Sequence, residues 1–399
     1  MASSALSRVA YLPSERPGAG RLGAVARLRL SWFRSYPELS LETDGRPVVL
    51  VGENGAGKTN LLEAVSLLGP GRGLRGVPLG ALAHVPAGAA DAVVRPWAVA
   101  ARVTTADGEV DLGTGQEPEG GERRVARIDG AGESVSALSR HLRLLWLTPA
   151  MDRLLVEAAS GRRRFLDRLT LSLDPAHAAR SSGYDRAMRE RNRLLRDGPR
   201  DPAWLSGLEA ELARLGVEIA AARLATVRAL AAQITRVELD EFPRALMALE
   251  GGLEEALARG EAPETVEAVF LAALQRGRGR DQAAGRMLEG PHTSDLAVTH
   301  AATGRAAALC STGEQKALLI GLILAQARLV AAAAPGAGPV VLLDEIAAHL
   351  DERRREALFD ALSAQGVQAW LTGTDGAVFA PLGARAQLFV VADGTVRPT

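Results

Sequence analysis

The stretch of residues 48–62 constrains the fold of this chain more than any other. Four apolar residues, Val48–Val51, precede a glycine-rich turn and a helical pattern. Four members of the turn fit the pattern G-x-x-x-x-G-K-[ST]: Gly52, Gly57, Lys58 and Thr59. Glycine lets successive backbone N–H groups point inward at phosphate oxygens, and the following helix adds the positive end of its dipole. The sequence therefore predicts a strand, a phosphate-binding loop and a helix, which belong to an α/β fold.

Each residue type in this loop has a task in binding ATP. The Lys58 ammonium can reach the β- and γ-phosphates, and the Thr59 hydroxyl can ligate Mg²⁺. We predict an ATP site formed by nine consecutive residues: Gly52, Glu53, Asn54, Gly55, Ala56, Gly57, Lys58, Thr59 and Asn60. A chance glycine-rich turn is the alternative, and the apolar strand and helical pattern on either side argue against it.

Lysine is almost absent from this chain. Of the 47 Lys and Arg residues only two are lysines, Lys58 and Lys316. Lysine therefore persists inside the phosphate-binding loop, where a compact ammonium and a planar guanidinium are not interchangeable.

The bulk composition excludes several classes of protein. The 399 residues suggest two or three domains, and a formal net charge of zero leaves only local basic surfaces for binding nucleic acid. A single cysteine, Cys310, excludes a disulfide framework and favours the cytoplasm. The apolar run at 317–334 is interrupted by Gln326 and Arg328, so we predict a buried core helix and no membrane partner. Residues 1–22 are expected to form a disordered extension, or to result from a start codon assigned too early.

A second motif follows the predicted strand Val340–Leu343. Apolar residues that end in Asp344 and Glu345 match the strand that holds Mg²⁺ and water in phosphate-loop ATPases. Asp344 would hold the metal together with Thr59. Glu345 would orient or deprotonate the attacking water, so we assign the catalytic roles to Glu345 and Lys58.

A third motif lies at the start of the helix predicted over 309–330. Its sequence CSTGEQK offers a second anion site of the kind in which one protomer of a head-to-tail dimer caps the γ-phosphate bound by the other, as in ABC-type ATPases. An ordinary Ser-Thr helix cap is the alternative. His349 and Asp351 then fall where such proteins have a loop at the dimer interface. The predicted signature residues are Ser311, Thr312, Gly313, Gln315 and Lys316.

The chain changes character twice along its length. Alternating apolar residues predict strands over 24–43, broken by a turn at Tyr36-Pro37, and further short strands at 97–103, 108–112, 124–128 and 142–148. From 151 to about 286 the pattern is helical, with a short heptad seam that begins at Leu208. An ordinary core helix and a projecting antiparallel arm remain equal alternatives for that seam. Strands at 366–371 and 386–391 and a terminal turn at Asp393-Gly394 complete the α/β part.

We therefore predict an ABC-type phosphate-loop ATPase head, with a mixed sheet and an antiparallel β region, that carries an inserted, mainly helical arm domain. Its ATPase domain would comprise residues 23–150 and 290–399, and its helical domain residues 151–289.

A local basic cluster is the candidate contact for the phosphates of a nucleic acid. Residues 151–200 contain twelve arginines against seven acidic residues. Such a cluster can neutralise phosphates without reading bases. A solvated helix face with Arg–Glu pairs is nearly as good an interpretation. The predicted contacts are Arg162, Arg163, Arg164, Arg189 and Arg193.

From about residue 24 to residue 399 the sequence resembles the RecF family of bacterial recombination-repair proteins, which are relatives of the SMC-like ATPases. The resemblance rests on a set of motifs in a fixed order: FRSY (33–36), GENGAGKTNLLEAVSLLGPGRGLR (52–75), GRRRFLD (161–167), GPHTSDL (290–296), STGEQK (311–316) and LLDEIAAHLD (342–351). Residues 372–374 stand where ABC proteins usually have a switch histidine.

The resemblance implies a DNA-binding ATPase of recombinational repair that acts at single-strand gaps and duplex junctions without base specificity. It would use ATP and Mg²⁺, turn over slowly, form an ATP-dependent homodimer, and help to load RecA with RecR and RecO as partners. Three alternatives are a nucleotide-binding subunit of an ABC transporter, an SMC-like DNA-bridging protein, and a module that binds ATP without hydrolysing it. The long helical insertion argues against the first, and the short seam argues against the second.

Overall fold

The structure, a computed structural model, describes residues 22–86, 95–117, 123–198, 202–236, 241–334 and 338–399. The predicted extension at 1–22 therefore lies outside the described residues, except for Leu22. The chain divides into two compact units: residues 1–151 with 323–399, which we call the α/β unit, and residues 152–322, which we call the helical unit. The predicted boundary at 150 falls beside this division, and the predicted boundary at 289 falls inside the helical unit. Compact units describe packing, so the functional domain assignment stays a prediction.

Fourteen strands lie in the described part of the chain. In chain order they are β1 (Val25–Phe33), β2 (Tyr36–Glu42), β3 (Val48–Val51), β4 (Ala98–Thr105), β5 (Gly108–Gln116), β6 (Arg124–Ile128), β7 (Ala131–Glu133), β8 (Arg143–Leu147), β9 (Ala245–Glu250), β10 (Asp295–His300), β11 (Pro339–Leu343), β12 (Gln368–Gly373), β13 (Gln387–Ala392) and β14 (Thr395–Pro398).

The same described residues contain nine α-helices. They are α1 (Lys58–Ser66), α2 (Ala159–Leu173), α3 (His177–Asp197), α4 (Pro202–Arg236), α5 (Gly252–Ala258), α6 (Pro263–Arg276), α7 (Arg278–Ala284), α8 (Thr312–Ala333) and α9 (Glu352–Ala364).

Two six-stranded sheets build the α/β unit. One has the order β14-β13-β3-β12-β11-β8, in which the five strands from β13 to β8 are parallel and β14 pairs antiparallel. The other, β2-β1-β4-β5-β6-β7, is antiparallel throughout. One apolar core includes side chains of both sheets and of α1. The predicted mixed sheet with an antiparallel β region is confirmed.

The parallel sheet places the loop that follows β3. All four residues of β3 are buried, as expected for a central parallel strand, and β3 lies between β12 and β13. Because the carboxyl ends of parallel strands meet at one edge of a sheet, the residues that follow β3, β11 and β12 come together.

The helical unit has its own apolar core, formed by side chains of α3, α4, α5 and α6. The seam residues Leu212, Leu215 and Ile219 are buried in it, and α4 packs on all three of the other helices. That packing favours the interpretation of α4 as a core helix of a folded unit. The unit also contains the antiparallel strand pair β9–β10. Strand β9 was not predicted, because it lies within residues 151–286, where the sequence pattern indicated helix.

Helix α8 is, within the described residues, the one helix long and apolar enough to cross a membrane by length and composition. Of its most apolar stretch, 67% is buried against the rest of the protein. This burial is typical of a helix in a protein core and fits the prediction made from Gln326 and Arg328.

Candidate nucleotide-binding site

The phosphate-binding loop has the backbone that its glycines predict. Gly57 has φ 110°, and a Cβ added there would lie 2.6 Å from the Tyr36 hydroxyl and 2.7 Å from Ser35 Oγ. No larger residue fits without moving these groups. The Tyr36 hydroxyl donates a hydrogen bond to the Gly57 carbonyl (3.1 Å), which ties the loop to the start of β2. A helix follows the loop, as predicted, and this helix, α1, begins at Lys58.

The Lys58 side chain is buried and folds back over the loop. Its Nζ donates hydrogen bonds to the Gly52 carbonyl (2.7 Å) and the Glu53 carbonyl (2.8 Å). Burial lowers the pKa of Lys58, whereas the nearby carboxylates of Glu345 and Asp344 act in the opposite direction. The ammonium is thus held where the loop surrounds it, beside the two acids of the second motif.

Thr59 and Asp344 meet although 285 positions separate them in the sequence. Thr59 Oγ1 donates to both carboxylate oxygens of Asp344, at 2.9 Å to Oδ1 and 3.1 Å to Oδ2. A hydroxyl and a carboxylate are hard oxygen donors of the kind that Mg²⁺ prefers. The two residues fit the predicted metal site in chemistry and in proximity.

Thr372 is a site residue to which the sequence assigned no role. It is buried at the end of β12, and its hydroxyl donates to Asp344 Oδ1 at 2.8 Å. The same hydroxyl accepts a hydrogen bond from the backbone N–H of Glu345 at 2.8 Å. Glu345 follows Asp344 in an unusual backbone conformation for a residue other than glycine, with φ 53°. The neighbouring strand therefore holds both acids of the second motif.

A buried acid behind the loop also escaped the sequence analysis. The Glu63 side chain on α1 is fully buried and accepts two hydrogen bonds from the Arg34 guanidinium, at 2.8 and 3.1 Å. Arg75 donates to Asn60 (3.0 Å) and lies 3.4 Å from Glu63. Arg34 and Arg75, which the sequence noted only by resemblance, thus connect three segments of the site. Glu63 itself gives no signal, because an acid on a helix usually faces water.

Ser311 forms a reciprocal helix cap at the start of α8. The Glu314 backbone N–H donates to Ser311 Oγ (3.3 Å), and the Glu314 carboxylate accepts hydrogen bonds from the Ser311 N–H and hydroxyl, both at 2.8 Å. These bonds lower the pKa of Glu314. The cap that the sequence offered as an alternative is therefore present, and the exposure of Ser311, Thr312 and Gly313 keeps the turn accessible.

Gln315 and Lys316 differ from the rest of the predicted signature because both are buried. Gln315 Nε2 donates to the Cys310 carbonyl (2.8 Å), and Lys316 Nζ contacts Asp152 (3.3 Å). Their side chains support the turn from within the helical unit.

The predicted interface residues lie at the surface. His349 is exposed in a short helical turn, and Asp351 is exposed at the start of α9. The Asp351 carboxylate accepts a hydrogen bond from the Arg354 N–H (2.9 Å), so it caps that helix.

The five predicted DNA contacts separate into two groups. Arg162 donates to both oxygens of Asp295 (2.8 and 2.6 Å), and Arg163 donates to the Ser294 carbonyl (2.6 Å), so both guanidinium groups are used inside the helical unit. Arg164, Arg189 and Arg193 are exposed. Arg193 forms an ion pair with Glu190 at 2.6 Å, and such Arg–Glu pairs are what a solvated helix face would contain. The sequence could not separate the consecutive arginines, because a triplet on a helix points in three directions.

The two sheets, the glycine-rich loop and the pairing of Thr59 with Asp344 define an ATPase head of the SMC type. The Smc head domain of Pyrococcus furiosus matches the fold with a TM-score of 0.52 and 17% identity, over 94% of this chain and 95% of that one. A sequence model described as the RecF/RecN/SMC N terminal domain matches residues 24–393. The chain belongs to the RecF family.

Relatives within that family are similar over nearly their whole length. The DNA replication and repair protein RecF of Rhizobium meliloti (strain 1021) is 52% identical, with 93% of this chain and 98% of that protein covered. RecF of Caulobacter vibrioides (strain ATCC 19089) is 51% identical, with 91% and 95% covered. The solved structure of the recombination mediator protein RecF with ATP, in the RecFOR pathway, has a TM-score of 0.77 at 21% identity, over 94% and 99% of the two chains.

Proposed function

We propose that this chain is an ATP-dependent DNA-binding protein of recombinational repair. One observation carries the proposal: Lys58, Thr59, Asp344 and Glu345 come together at one edge of the parallel sheet, although two distant parts of the sequence supply them. Family membership supports it, since the relatives are named DNA replication and repair proteins. The setting is the cytoplasm.

The loop residues act in binding and hydrolysing ATP. The loop backbone and Lys58 bind the phosphates, while Thr59 and Asp344 would hold Mg²⁺, which neutralises charge that develops on the phosphates when it is bound. Glu345 orients the attacking water and takes up its proton. Hydrolysis is slow and DNA-dependent, so that ATP serves as a switch.

The switch is a head-to-tail dimer. The first turn of α8 has backbone N–H groups without partners in the helix, and residues 311–313 are exposed. In the dimer this turn caps the γ-phosphate held by the partner protomer. The exposed surface around His349 and Asp351 belongs to the same interface.

DNA is bound through its phosphates. The exposed Arg164 and Arg189 are the principal contacts, with Arg193 beside them. Binding at single-strand gaps and duplex junctions, without base specificity, places the protein with RecR and RecO in loading RecA.

Sedimentation velocity with Mg-ATP and a labelled duplex tests the switch. Wild type is expected to change from monomer to dimer and to retain the duplex. Ser311→Arg should bind ATP like wild type and remain monomeric, because its added side chain blocks the partner. Ser182→Arg, an exposed serine on α3, is the matched control and should dimerise. Glu345→Gln should bind ATP, accumulate as dimer and lose turnover.

Three results would contradict the proposal. Loss of ATP binding by monomeric Ser311→Arg would show that the turn acts within its own protomer. Dimerisation of Ser311→Arg would exclude the trans contact. Unchanged turnover in Glu345→Gln would remove Glu345 from the chemistry.

A further inference from the structure

The Thr372 hydroxyl joins the two acids of the second motif. A hydroxyl has one proton to donate and lone pairs with which to accept. Here the proton is donated to Asp344 Oδ1 and a lone pair accepts from the Glu345 N–H, each at 2.8 Å. Thr372 is only 1% exposed, so water does not replace these partners.

The position of β12 explains how one residue reaches both acids. This strand pairs with β11, where Leu371 is opposite Leu343, and with β3, where Thr372 is opposite Leu50. Thr372 therefore lies between the strand that ends in the phosphate-binding loop and the strand that ends in Asp344 and Glu345.

The backbone conformation of Glu345 explains what its hydrogen bond with Thr372 does. A φ of 53° is unfavourable for a residue other than glycine, so its neighbours must hold it in place. The hydrogen bond from its N–H to Thr372 is such a restraint, and it sets the direction in which the Glu345 side chain leaves the strand.

We infer that Thr372 is a positioning residue that orients Asp344 toward Mg²⁺ and Glu345 toward the attacking water. The inference rests on the proposed function and deepens it. Thr59 and Asp344 are the groups that would meet the metal, and the Thr372 hydroxyl donates to Asp344 Oδ1, an oxygen that also accepts from Thr59. Groups that orient a ligand in this way usually change metal affinity or activity about 10- to 100-fold when they are removed.

Thr372→Val tests the inference because valine keeps the shape and strand preference of threonine and removes the hydroxyl. Thr372→Ser keeps the hydroxyl and removes the methyl group. Thr105→Val, at a buried threonine of β4 whose hydroxyl bonds the Gly108 carbonyl, is the control for removing a hydroxyl elsewhere in the α/β unit.

The readouts are the affinity for a fluorescent, non-hydrolysable ATP analogue during a Mg²⁺ titration, the same affinity in EDTA, and ATP turnover. In Thr372→Val we expect the Mg²⁺ concentration at half-effect to rise, and kcat to fall, by about 10- to 100-fold, with little change in EDTA. In Thr372→Ser the Mg²⁺ concentration at half-effect and kcat should stay within about threefold of the wild-type values, and in Thr105→Val both should match wild type.

The outcomes separate the possible errors. A Mg²⁺ titration and kcat for Thr372→Val that match wild type would overturn the inference. Equal losses with and without Mg²⁺, together with a lower melting temperature, would make the residue merely structural. If Thr372→Val does not fold, Thr372→Ala is measured in its place and must show the same selective loss. Wild type without Mg²⁺-dependent binding would instead overturn the proposed function.

Discussion

Arg191 is a fully buried charge of the helical unit, and replacing it by methionine should destabilise that unit strongly. Its guanidinium donates to Glu209 (3.1 Å), Asp281 (2.7 Å) and the Leu274 carbonyl (2.8 Å), and its side chain is fully buried. Removing one partner of a buried ion pair costs about 3–5 kcal/mol, because the opposite charge stays behind unpaired. Arg278 still donates to Glu209, so the uncompensated group is chiefly Asp281.

The size of the effect can be measured by thermal and urea unfolding. For a unit of this length, 3–5 kcal/mol corresponds to a fall in Tm of about 6–20 °C. Arg193→Met is the matched control, because Arg193 is exposed and lies two positions after Arg191 on the same helix. Among the described residues it pairs with Glu190, which is half-buried, and with Asp197, which is exposed. That pair should be worth less than about 1 kcal/mol.

The paired measurement decides whether burial sets the cost. If Arg191→Met and Arg193→Met lost equal stability, the buried network would not anchor α3 to α4 and α7. Arg191→Met combined with Asp281→Asn should recover part of the loss, since it removes the charge that was left unpaired.

Three further predictions concern the loop, the DNA contact and pH. Gly57→Ala should lower nucleotide affinity at least about tenfold through strain and contact. Gly80→Ala should not, because a Cβ added there meets no atom of the described residues within 4 Å; fluorescent-nucleotide binding measures both. Arg164→Ala should weaken duplex binding and reduce the salt slope by about one, with stability within about 0.5 kcal/mol of wild type; equal loss of DNA binding and Tm would contradict this. The hydrogen bond from Arg162 lowers the pKa of Asp295. The contribution of this pair to stability is therefore present above the ordinary carboxyl pKa of 3.8 and is lost as pH falls through the pKa of Asp295 in the folded protein. The urea midpoints measured at about pH 5 and about pH 3 should differ less in Arg162→Ala than in wild type.

The sequence predicted most of the α/β unit because its signals are local. An apolar run before a glycine-rich loop and the Asp393-Gly394 hairpin turn each identify their structure within a few residues. The turn predicted at Tyr36-Pro37 was wrong: β2 begins at Tyr36, and Arg34 turns the chain with φ 51°. Proline is tolerated there because β2 is an edge strand with free backbone positions.

The contacts that organise the site could not be predicted in the same way, because they are not local. Glu63 acts through partners far along the chain, and nothing in its neighbouring residues marks it. Residues 372–374 were noted only as standing at the position of a switch histidine, which does not indicate that Thr372 contacts Asp344 and Glu345. Strand β9 was missed for the same reason, since its residues favour helix and its partner β10 lies in another segment. Which of the three consecutive arginines is used inside the helical unit likewise depends on contacts with distant residues: Arg162 donates to Asp295, and Arg163 donates to the Ser294 carbonyl.

The scarcity of lysine has a practical consequence for chemical labelling. Both lysines, Lys58 and Lys316, are buried, one in the phosphate-binding loop and one beside the α8 turn. Side-chain amines are therefore confined to the two elements that the proposed switch brings together across protomers. Reagents that acylate amines would not modify the arginine side chains of the remaining surface. The extent of acylation at Lys58, followed by mass spectrometry of the peptide that contains it, would thus report the occupancy of the nucleotide site without any engineered label.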